Sequence, residues 1–382
     1  MNSVIATGNP DWNALRSQFP VADNFIYLNH AAIAPISLNV KKQIDECLEK
    51  YSLCGIVCNR EFLDIADETR KLAARLINAR PSEITFVKNT TQGIQIAANG
   101  IRWKRGDNVI IPGNEFPANV FPWLNLSKMG VETKFIPVKD GRFTAGDIAP
   151  YIDKQTRAVS VSAVSFTNGF RCNLAEIGKL CKENGIFFIV DAIQALGAVE
   201  VDVSKSKIDI LSADAHKWLL GPQGIGISYI SDAVLEKLDV SNLGYRSMAN
   251  EDEYLNFNIR LKEDASRFEE GTLNLIGIVG LKASLEMLMT IGIPTIEKRL
   301  SDLNNVFIKN LTERGYIIKS PLNRNERSGI LSFNHKKIST EMIYENLFKA
   351  RVVCALRDGA VRISPHFYNN LEDMSGCLEA LP

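Results

Sequence analysis

Lys217 and Asp191 are the residues whose types and spacing most directly indicate chemistry. Asp191 ends an apolar run, Gln194 follows three residues later, and Lys217 lies 26 residues beyond Asp191, before a turn rich in glycine and proline. A lysine amine can hold a cofactor aldehyde as a Schiff base, and a carboxylate can keep a pyridine nitrogen protonated. This pattern therefore predicts a pyridoxal phosphate enzyme.

Two further segments match what such a cofactor needs, a phosphate cradle and a surface for its ring. Thr90 and Thr91 follow a predicted strand at the start of a helix, where hydroxyls, free backbone N–H groups and the helix dipole favour an anion. Phe116 follows another strand end, and an aromatic side chain there can stack on the ring. Each motif is weak alone, because threonine is an ordinary N-cap and loop aromatics are often only packed.

The net charge of the chain indicates which classes of binding partner to expect. The 44 basic and 44 acidic side chains cancel, and no block rich in lysine and arginine stands out. Nucleic acid and membrane surfaces are therefore not expected as partners, and a small substrate is. The start, residues 1–10, has neither a basic flank nor an apolar core, and no later apolar run is long enough for a bilayer. We expect a soluble, cytoplasmic protein.

The seven cysteines are an odd number scattered along the chain, which fits reduced thiols better than a disulfide framework. Cys54 and Cys58 could suggest a metal pair, but no second pair or histidine cluster follows them. We therefore expect no metal site.

Alternating strands and helices predict the fold class. From residue 84 onward, short β-branched runs alternate with helical segments, and an amphipathic helix at 61–78 precedes them. This order predicts an α/β fold with a mostly parallel, seven-stranded sheet between helices. Ligands of such sheets bind beyond the carboxyl ends of strands, where Asp191 and Lys217 would lie. The predicted strands span 84–87, 108–111, 133–137, 158–164, 186–190, 208–211 and 225–230.

A different pattern after residue 260 predicts a smaller α+β domain. Its expected helices span 277–291, 294–314 and 340–350, and its expected strands span 316–319, 329–334, 352–356 and 359–364. We therefore divide the chain into an N-terminal segment at 1–60, packed near the small domain and the active site, a large cofactor-binding domain at 61–260, and a linking helix with the small domain at 261–382.

Several motifs, in this order and spacing, resemble the superfamily of class V aminotransferases and cysteine desulfurases. The similarity covers nearly the whole chain, from Tyr27-Leu28-Asn29-His30-Ala31-Ala32 onward. It implies the fold type I of pyridoxal phosphate enzymes and a homodimer. The motifs are Val190-Asp191-Ala192-Ile193-Gln194-Ala195-Leu196-Gly197, Ala215-His216-Lys217-Trp218 with its glycine-rich sequel, Arg267-Phe268-Glu269-Glu270-Gly271-Thr272 and Arg362-Ile363-Ser364-Pro365-His366-Phe367-Tyr368-Asn369.

The resemblance also implies a role for individual residues. Lys217 forms the Schiff base and later removes the α-proton of an amino-acid substrate, while Asp191 pairs with the ring nitrogen. The other implied contacts are Gln194 at the ring hydroxyl, Phe116 on the ring face, Thr90, Thr91, His216 and a Thr272 contributed across the dimer interface at the phosphate, Arg362 at the substrate carboxylate, and His30 and Ala31 in the substrate site.

Three positions depart from the desulfurase pattern. Phe116 stands where desulfurases usually place a ring-stacking histidine, which removes a proton shuttle. Asp214 stands where many relatives have a phosphate-binding serine; a carboxylate would repel the phosphate, so we expect it to point elsewhere. Between Val353 and Arg362, eight residues replace a longer loop with a nucleophilic cysteine. The thiol there, Cys354, lies in a predicted strand, which offers neither reach nor a lowered pKa.

The residues leave several reactions open. Without a desulfurase thiol, deprotonation of the substrate Cα leads to β-elimination of a sulfur group, to transamination or to epimerisation, and elimination is preferred because the chain resembles relatives that lack the loop. Desulfuration through Cys354 would require a mobile strand. A catalytically idle binding protein is disfavoured because Lys217, Asp191, Gln194 and Arg362 are all present.

Overall fold

The structure is a computed structural model that describes residues 10–382. The segment at 1–9, for which the sequence predicts no targeting signal, lies outside the described residues. The strands are β1 (Ile26–Tyr27), β2 (Ile84–Val87), β3 (Asn108–Pro112), β4 (Glu132–Ile136), β5 (Thr156–Ser162), β6 (Phe187–Asp191), β7 (Ile210–Asp214), β8 (Gly226–Ile230), β9 (Tyr316–Ile318), β10 (Leu331–His335), β11 (Val352–Val353), β12 (Ala355–Arg357) and β13 (Ala360–Ile363).

The helices cover much of the remaining described chain and surround the strands. They are α1 (Trp12–Arg16), α2 (Leu38–Cys54), α3 (Asn59–Leu76), α4 (Thr90–Gly100), α5 (Phe121–Leu124), α6 (Ala145–Ile148), α7 (Leu174–Asn184), α8 (Asp232–Leu235), α9 (Leu275–Ile291), α10 (Ile293–Glu313), α11 (Thr340–Lys349) and α12 (Leu371–Glu379). The long helices predicted from periodicity, at 61–78, 277–291, 294–314 and 340–350, correspond to α3, α9, α10 and α11.

The central element is the predicted seven-stranded sheet, with strand order β2-β8-β7-β6-β5-β3-β4. Strand β8 runs antiparallel to β2 and β7, and the other neighbouring pairs are parallel. All residues of β3, β7 and β8 are buried, as expected for strands covered on both faces. The prediction of a mostly parallel α/β sheet is confirmed, and the ends of its strands differ from the prediction by a few residues.

Helices cover both faces of this sheet. On one face, α2 and α3 pack against α9, which is buried around most of its circumference and is correspondingly apolar nearly throughout. On the other face, Ile94 and Ala97 of α4 join a second cluster with Trp123 of α5. Successive side chains of the strands belong alternately to the two clusters, so the sheet is packed on both faces. This packing holds the carboxyl ends of its strands in place.

The C-terminal region builds a separate four-stranded antiparallel sheet of order β12-β13-β10-β9, packed with α10, α11 and α12. The prediction of one strand at 352–356 is wrong. The chain changes partner at Cys354, because β11 pairs in parallel with β1 whereas β12 pairs with β13. The N-terminal segment is thereby joined to this region, while the domain boundaries at residues 60 and 260 stay a prediction.

The described residues include no single helix that is both long and apolar enough to cross a membrane. The helices α9 and α10 together meet the length and composition of a span, but they are bent by 76° at the break between them.

Candidate active site

Three neighbouring strands of the large sheet end in polar residues at the same edge. Ser162 ends β5, Asp191 ends β6 and Asp214 ends β7, and the pairing register places Ser162 opposite Asp191. Lys217 lies three residues beyond β7. Gly197, at φ +98°, lets the turn after β6 approach the Lys217 segment, because a Cβ there would lie 2.1 Å from the carbonyl oxygen of Trp218. Close packing of two backbones thus brings the predicted cofactor residues together.

The Lys217 side chain is enclosed in this edge and is 8% exposed as a residue. Burial lowers the pKa of its amine to about 8, Asp191 opposes this shift, and the nearby Arg362 adds to it. The amine lies 5.4 Å from the ring centre of Phe116. Desolvation therefore gives Lys217 a sizeable fraction of neutral, nucleophilic amine near neutral pH, as a Schiff-base lysine requires.

Asp191 has one carboxylate oxygen engaged and one free. Its Oδ1 accepts a hydrogen bond of 3.0 Å from the backbone N–H of Ile193, while the buried Oδ2 has no hydrogen-bond partner. Burial raises the pKa of this carboxyl to about 6. A buried oxygen without a partner is costly, and a protonated pyridine nitrogen would satisfy it. Asp191 and Lys217 thus fit pyridoxal phosphate.

Arg362 offers a planar pair of donors without partners. The residue is 1% exposed, and its Nη1 donates to the carbonyl oxygen of Phe166 at 2.6 Å, whereas Nε and Nη2 have no hydrogen-bond partner. Burial lowers the pKa of the guanidinium to about 10, and Arg357 adds to this shift, so the group stays charged at neutral pH. Nε and Nη2 form the edge of a guanidinium that binds a carboxylate through two parallel hydrogen bonds.

The predicted phosphate residues begin at the amino end of α4. Asn89 is the N-cap, because its side chain accepts from the N–H of Gln92, and the hydroxyl of Thr90 accepts from the N–H of Asp214 at 3.1 Å. Thr90 is therefore buried against β7, while Thr91 stays half-buried in the first turn. Thr90 links α4 to the strand that leads to Lys217, and the phosphate roles of both threonines stay predictions.

Asp214 and His216 face each other. His216 Nδ1 lies 2.9 Å from Asp214 Oδ1, although the two groups are not aligned as a hydrogen bond. The Asp214 carboxylate is buried. Asp214 thus lies beside an imidazole that is itself predicted to contact the phosphate, and the expectation that Asp214 points elsewhere stays a prediction.

Gln194 belongs to a network that supports the Lys217 segment. Its amide nitrogen donates to the carbonyl oxygen of Ala31, and its oxygen accepts from the indole N–H of Trp218 at 2.8 Å. One amide hydrogen of Gln194 remains for the predicted contact with the ring hydroxyl. The backbone N–H of Ala31 donates to Ser364 Oγ, so only the methyl group of Ala31 is left for a substrate.

The predicted substrate contact of the His30 side chain is contradicted by the structure. His30 is fully buried, and its ring nitrogens lie 2.8 Å from the carbonyl oxygen of Ser364 and 2.8 Å from the hydroxyl of Tyr368. Burial lowers the pKa of the imidazole well below its usual value, with a further contribution from His366. His30 is therefore a neutral structural residue that joins the N-terminal segment to the end of β13, because no nitrogen remains for a ligand.

Phe116 and Thr272 occupy different surroundings. Phe116 is 40% exposed and packs edge-on against Phe166 at 5.2 Å between ring centres, which leaves a ring face near Lys217 for stacking. Thr272 is exposed on the surface, where its hydroxyl lies 3.2 Å from that of Tyr245.

Sequence reasoning missed three supporting residues. Phe166 anchors Arg362 through its backbone, Trp218 holds Gln194, and Glu115 holds the end of β5 through both of its carboxylate oxygens. The position of Glu115 could have been predicted from the sequence. It is an acidic residue that follows a buried strand and directly precedes the aromatic residue predicted to stack on the ring, so it will lie near the cofactor. The backbone role of Phe166 left no trace in its residue type.

The sheet edge, the buried lysine with its carboxylate and the guanidinium with two free donor nitrogens define a pyridoxal phosphate enzyme of fold type I. The model of the family "Aminotransferase class-V" matches residues 26–375. The chain therefore belongs to the class V aminotransferase family, and the predictions of family, fold, cofactor and enzymatic character are confirmed.

Individual relatives are similar over almost their whole length. A Pyrococcus abyssi protein described as a probable cysteine desulfurase is 32% identical, with 96% of both chains covered. The solved structure of apo cysteine desulfurase from Thermococcus onnurineus NA1 matches with a TM-score of 0.88 at 28% identity, again over 96% of both chains. The cystine C-S lyase C-DES, solved in complex with its reaction product cysteine persulfide, matches at 0.87 over 95% of this chain and 98% of that one; at 22% identity this likeness shows the fold.

Proposed function

We propose that this protein is a C-S lyase that cleaves the Cβ–S bond of cysteine or cystine by β-elimination. Its similarity to a probable cysteine desulfurase supports a sulfur-containing amino-acid substrate. The shared fold of a cystine C-S lyase is compatible with elimination.

Substrate binding rests on Arg362. The carboxylate of the amino acid accepts from Nε and Nη2, the two guanidinium nitrogens that have no protein partner, while the bond from Nη1 to Phe166 fixes the plane of the group. A fixed carboxylate orients the Cα–H bond toward Lys217. Because burial lowers the pKa of the Lys217 amine, part of it is neutral and can accept a proton.

Lys217 and Asp191 then divide the chemistry. Pyridoxal phosphate, when bound, supplies an electron sink for the charge left on Cα. Lys217 would take the α-proton at Nζ, and Asp191, whose Oδ2 has no partner in the protein, would keep the ring nitrogen of the cofactor protonated. The Cβ–S bond breaks as the Cα–Cβ double bond forms, and sulfur leaves with the electron pair. Addition of water and loss of ammonia give pyruvate, with sulfide from cysteine or cysteine persulfide from cystine, so no oxidant is required.

The geometry around Cys354 is the observation that favours elimination over desulfuration. Cys354 is 5% exposed, and burial raises the pKa of its thiol to about 12. The segment that follows is a closed hairpin in which β12 and β13 are joined by Asp358 and Gly359, both at positive φ, as in a tight two-residue turn. A buried, protonated thiol beside a tight hairpin is a poor nucleophile, so Cys354 does not supply the sulfur acceptor that desulfuration requires.

A product assay on the yellow holoenzyme tests this proposal. With L-cysteine and L-cystine, we expect pyruvate and ammonia in equal amounts, accompanied by sulfide or persulfide. Stoichiometric alanine would show desulfuration, a keto acid formed with an amino acceptor would show transamination, and a D-isomer would show epimerisation. A protein that binds pyridoxal phosphate but turns over none of these substrates would support the idle fold relative.

A cysteine desulfurase remains the second candidate, because the relative from Pyrococcus abyssi carries that description. In that case the acceptor would be a thiol outside the hairpin, either an added small thiol or one from another protein. Alanine formation that depends on an added thiol, and persists in Cys354→Ala, would establish this alternative.

The homodimer also belongs to this proposal, with Thr272 completing the phosphate site of the other subunit. Thr272 is exposed in the single chain, and the loop at 250–260 exposes the apolar side chains of Tyr254, Leu255 and Phe257. Mixing Lys217→Ala with Thr272→Ala subunits tests the exchange, because one site of each mixed dimer would then have both wild-type residues. We expect the mixture to recover the cofactor affinity that Thr272→Ala loses; a mixture no better than the separate variants would show that Thr272 acts within its own chain.

A further inference from the structure

Glu115 is a carboxylate in the site to which the reaction assigns no role. It follows β3 and directly precedes Phe116, and its carboxylate is enclosed although the residue as a whole is half-buried. Its Oε1 accepts from the backbone N–H of Ser162 at 2.6 Å, and its Oε2 accepts from the Ser162 hydroxyl. Both oxygens of Glu115 therefore hold the last residue of β5.

Ser162 connects this carboxylate with Asp191. The two residues are register partners at the carboxyl ends of the adjacent strands β5 and β6, and the next N–H along, that of Ala163, donates to the carbonyl oxygen of Asp191. Glu115 is thus linked, through the last residue of β5, to the strand that ends in Asp191, the carboxylate that would pair with the ring nitrogen of the cofactor. Glu115 also directly precedes Phe116, whose ring centre lies 5.4 Å from the Lys217 amine.

We propose that Glu115 is a positioning residue of the cofactor site, which acts through Ser162 to hold Phe116 over the ring and places a second carboxylate behind Asp191. This inference rests on the pyridoxal phosphate site and not on which reaction the enzyme performs.

The groups that face Glu115 make its charge responsive to pH. Burial raises the pKa of Glu115 to about 7; the Ser162 hydrogen bonds oppose this shift, and the negative charge of Asp191 adds to it. From the other sides it faces the Asn119 amide and the Cys172 thiol. Burial raises the pKa of Cys172 to about 12, so this thiol stays neutral and Asp191 is the titrating neighbour. Asp191 in turn faces Lys217.

The electrostatic coupling of Glu115 and Asp191 should affect the protonation of the cofactor ring. When Glu115 is ionised, its charge adds to that of Asp191 and favours the protonated ring; when it is protonated, only the hydrogen bonds to Ser162 remain. The electrostatic part of the contribution of Glu115 to cofactor affinity is therefore absent at low pH and appears as the pH rises through about 7, while the positioning through Ser162 acts at all pH values.

The first test uses the cofactor-free protein and its infrared carbonyl band of protonated carboxyl groups. Glu115→Gln should remove one titrating band, and Asp191→Asn should move the titration of Glu115 to lower pH, because a neighbouring negative charge has been removed. Glu132→Gln, an exposed residue of β4, is the matched control and should change neither band. A Glu115 titration that is the same with and without Asp191 would overturn the proposal.

The second test follows cofactor affinity against pH by absorbance. We expect Glu115→Gln to bind pyridoxal phosphate about fivefold more weakly than wild type at pH about 8.5, with little difference at pH about 5.5. Ser162→Ala, which removes only the hydroxyl, should retain the pH dependence but weaken affinity at all pH values. A pH-independent loss in Glu115→Gln would show a purely structural role and contradict the proposal. Either test can fail while C-S lyase activity stands, so the two proposals are separable.

Discussion

The carboxyl edge of the large sheet and the β12–β13 hairpin meet in one site, but they contribute in opposite ways. The sheet edge contains buried polar atoms that the protein does not satisfy, including Oδ2 of Asp191, beside an amine whose pKa burial has lowered. The hairpin is closed, and its neighbouring thiol, Cys354, is protonated and buried. Unsatisfied groups mark where a cofactor binds, whereas the closed hairpin restricts which reaction follows.

Removing the amine of the sheet edge should have the largest effect. Lys217→Ala is expected to lower kcat at least about a thousandfold, because no other group can accept the α-proton from that position. Stopped-flow spectra and product assays with cysteine measure this, and Lys88→Ala, an exposed lysine, is the control. Turnover near the wild-type rate would remove Lys217 from its role.

Substitution of Asp191, the predicted partner of the ring nitrogen, should have the second largest effect on kcat. Asp191→Asn should lower kcat about a hundredfold, because a neutral amide does not keep the ring nitrogen protonated. The absorbance of the bound cofactor should shift in the same variant. An unchanged kcat would place the partner of the ring nitrogen elsewhere.

Arg362 belongs to the hairpin region but serves the substrate. Arg362→Ala should raise KM about a hundredfold with a smaller change in kcat, because the two donors bind the carboxylate before and during the reaction. Arg362→Lys should recover little, since an ammonium cannot make two parallel hydrogen bonds. Arg102→Ala, an exposed arginine, controls for charge, and an unchanged KM in Arg362→Ala would contradict the carboxylate role.

The buried carboxyl group of Asp191 at the sheet edge should make the free energy of unfolding depend on pH. The folded-state pKa of Asp191 is raised to about 6, so protonation favours the folded chain, and this contribution is lost as pH rises from about 4 through about 6. Cofactor-free wild type should therefore be less stable than Asp191→Asn at pH about 7, by about 2 to 3 kcal/mol, and nearly equal to it at pH about 4. Urea unfolding at both pH values checks this; a constant difference would mean that Asp191 is not desolvated.

The smallest effect is expected at the thiol beside the hairpin. Cys354→Ala should change kcat by no more than about twofold and cost about 1 kcal/mol of stability through lost packing. Cys377→Ala, a buried thiol of the same cluster, is the matched control and should behave alike. An inactive Cys354→Ala protein that still binds the cofactor would restore the desulfurase mechanism.

Sequence patterns were sufficient where the structure follows from local periodicity. The seven strands of the large sheet and the helices α3, α9, α10 and α11 were all predicted, because buried β-branched runs and helical repeats are readable without tertiary contacts. The predicted strand at 352–356 was wrong, because its apolar residues belong to two strands with different partners on either side of Cys354. A run of apolar residues does not reveal which neighbour each residue pairs with.

Among the site residues, side-chain type predicted chemistry well and contacts poorly. Lys217, Asp191 and Arg362 converge as expected, whereas His30 uses both ring nitrogens within the protein. A histidine beside a binding motif looks the same in sequence whether its partners are a ligand or, as here, a carbonyl oxygen and a hydroxyl from residues more than 330 positions away.

The sequence by itself determined the family, the cofactor and the order of the elements, because the type of each reactive side chain and the period of the apolar residues are local properties. Only the tertiary structure decided which oxygen of Asp191 is free, that Cys354 is enclosed, and that Glu115 holds Ser162. These outcomes depend on distances between segments remote in the chain, and burial, which sets the pKa of each group, exists only once those segments have packed together.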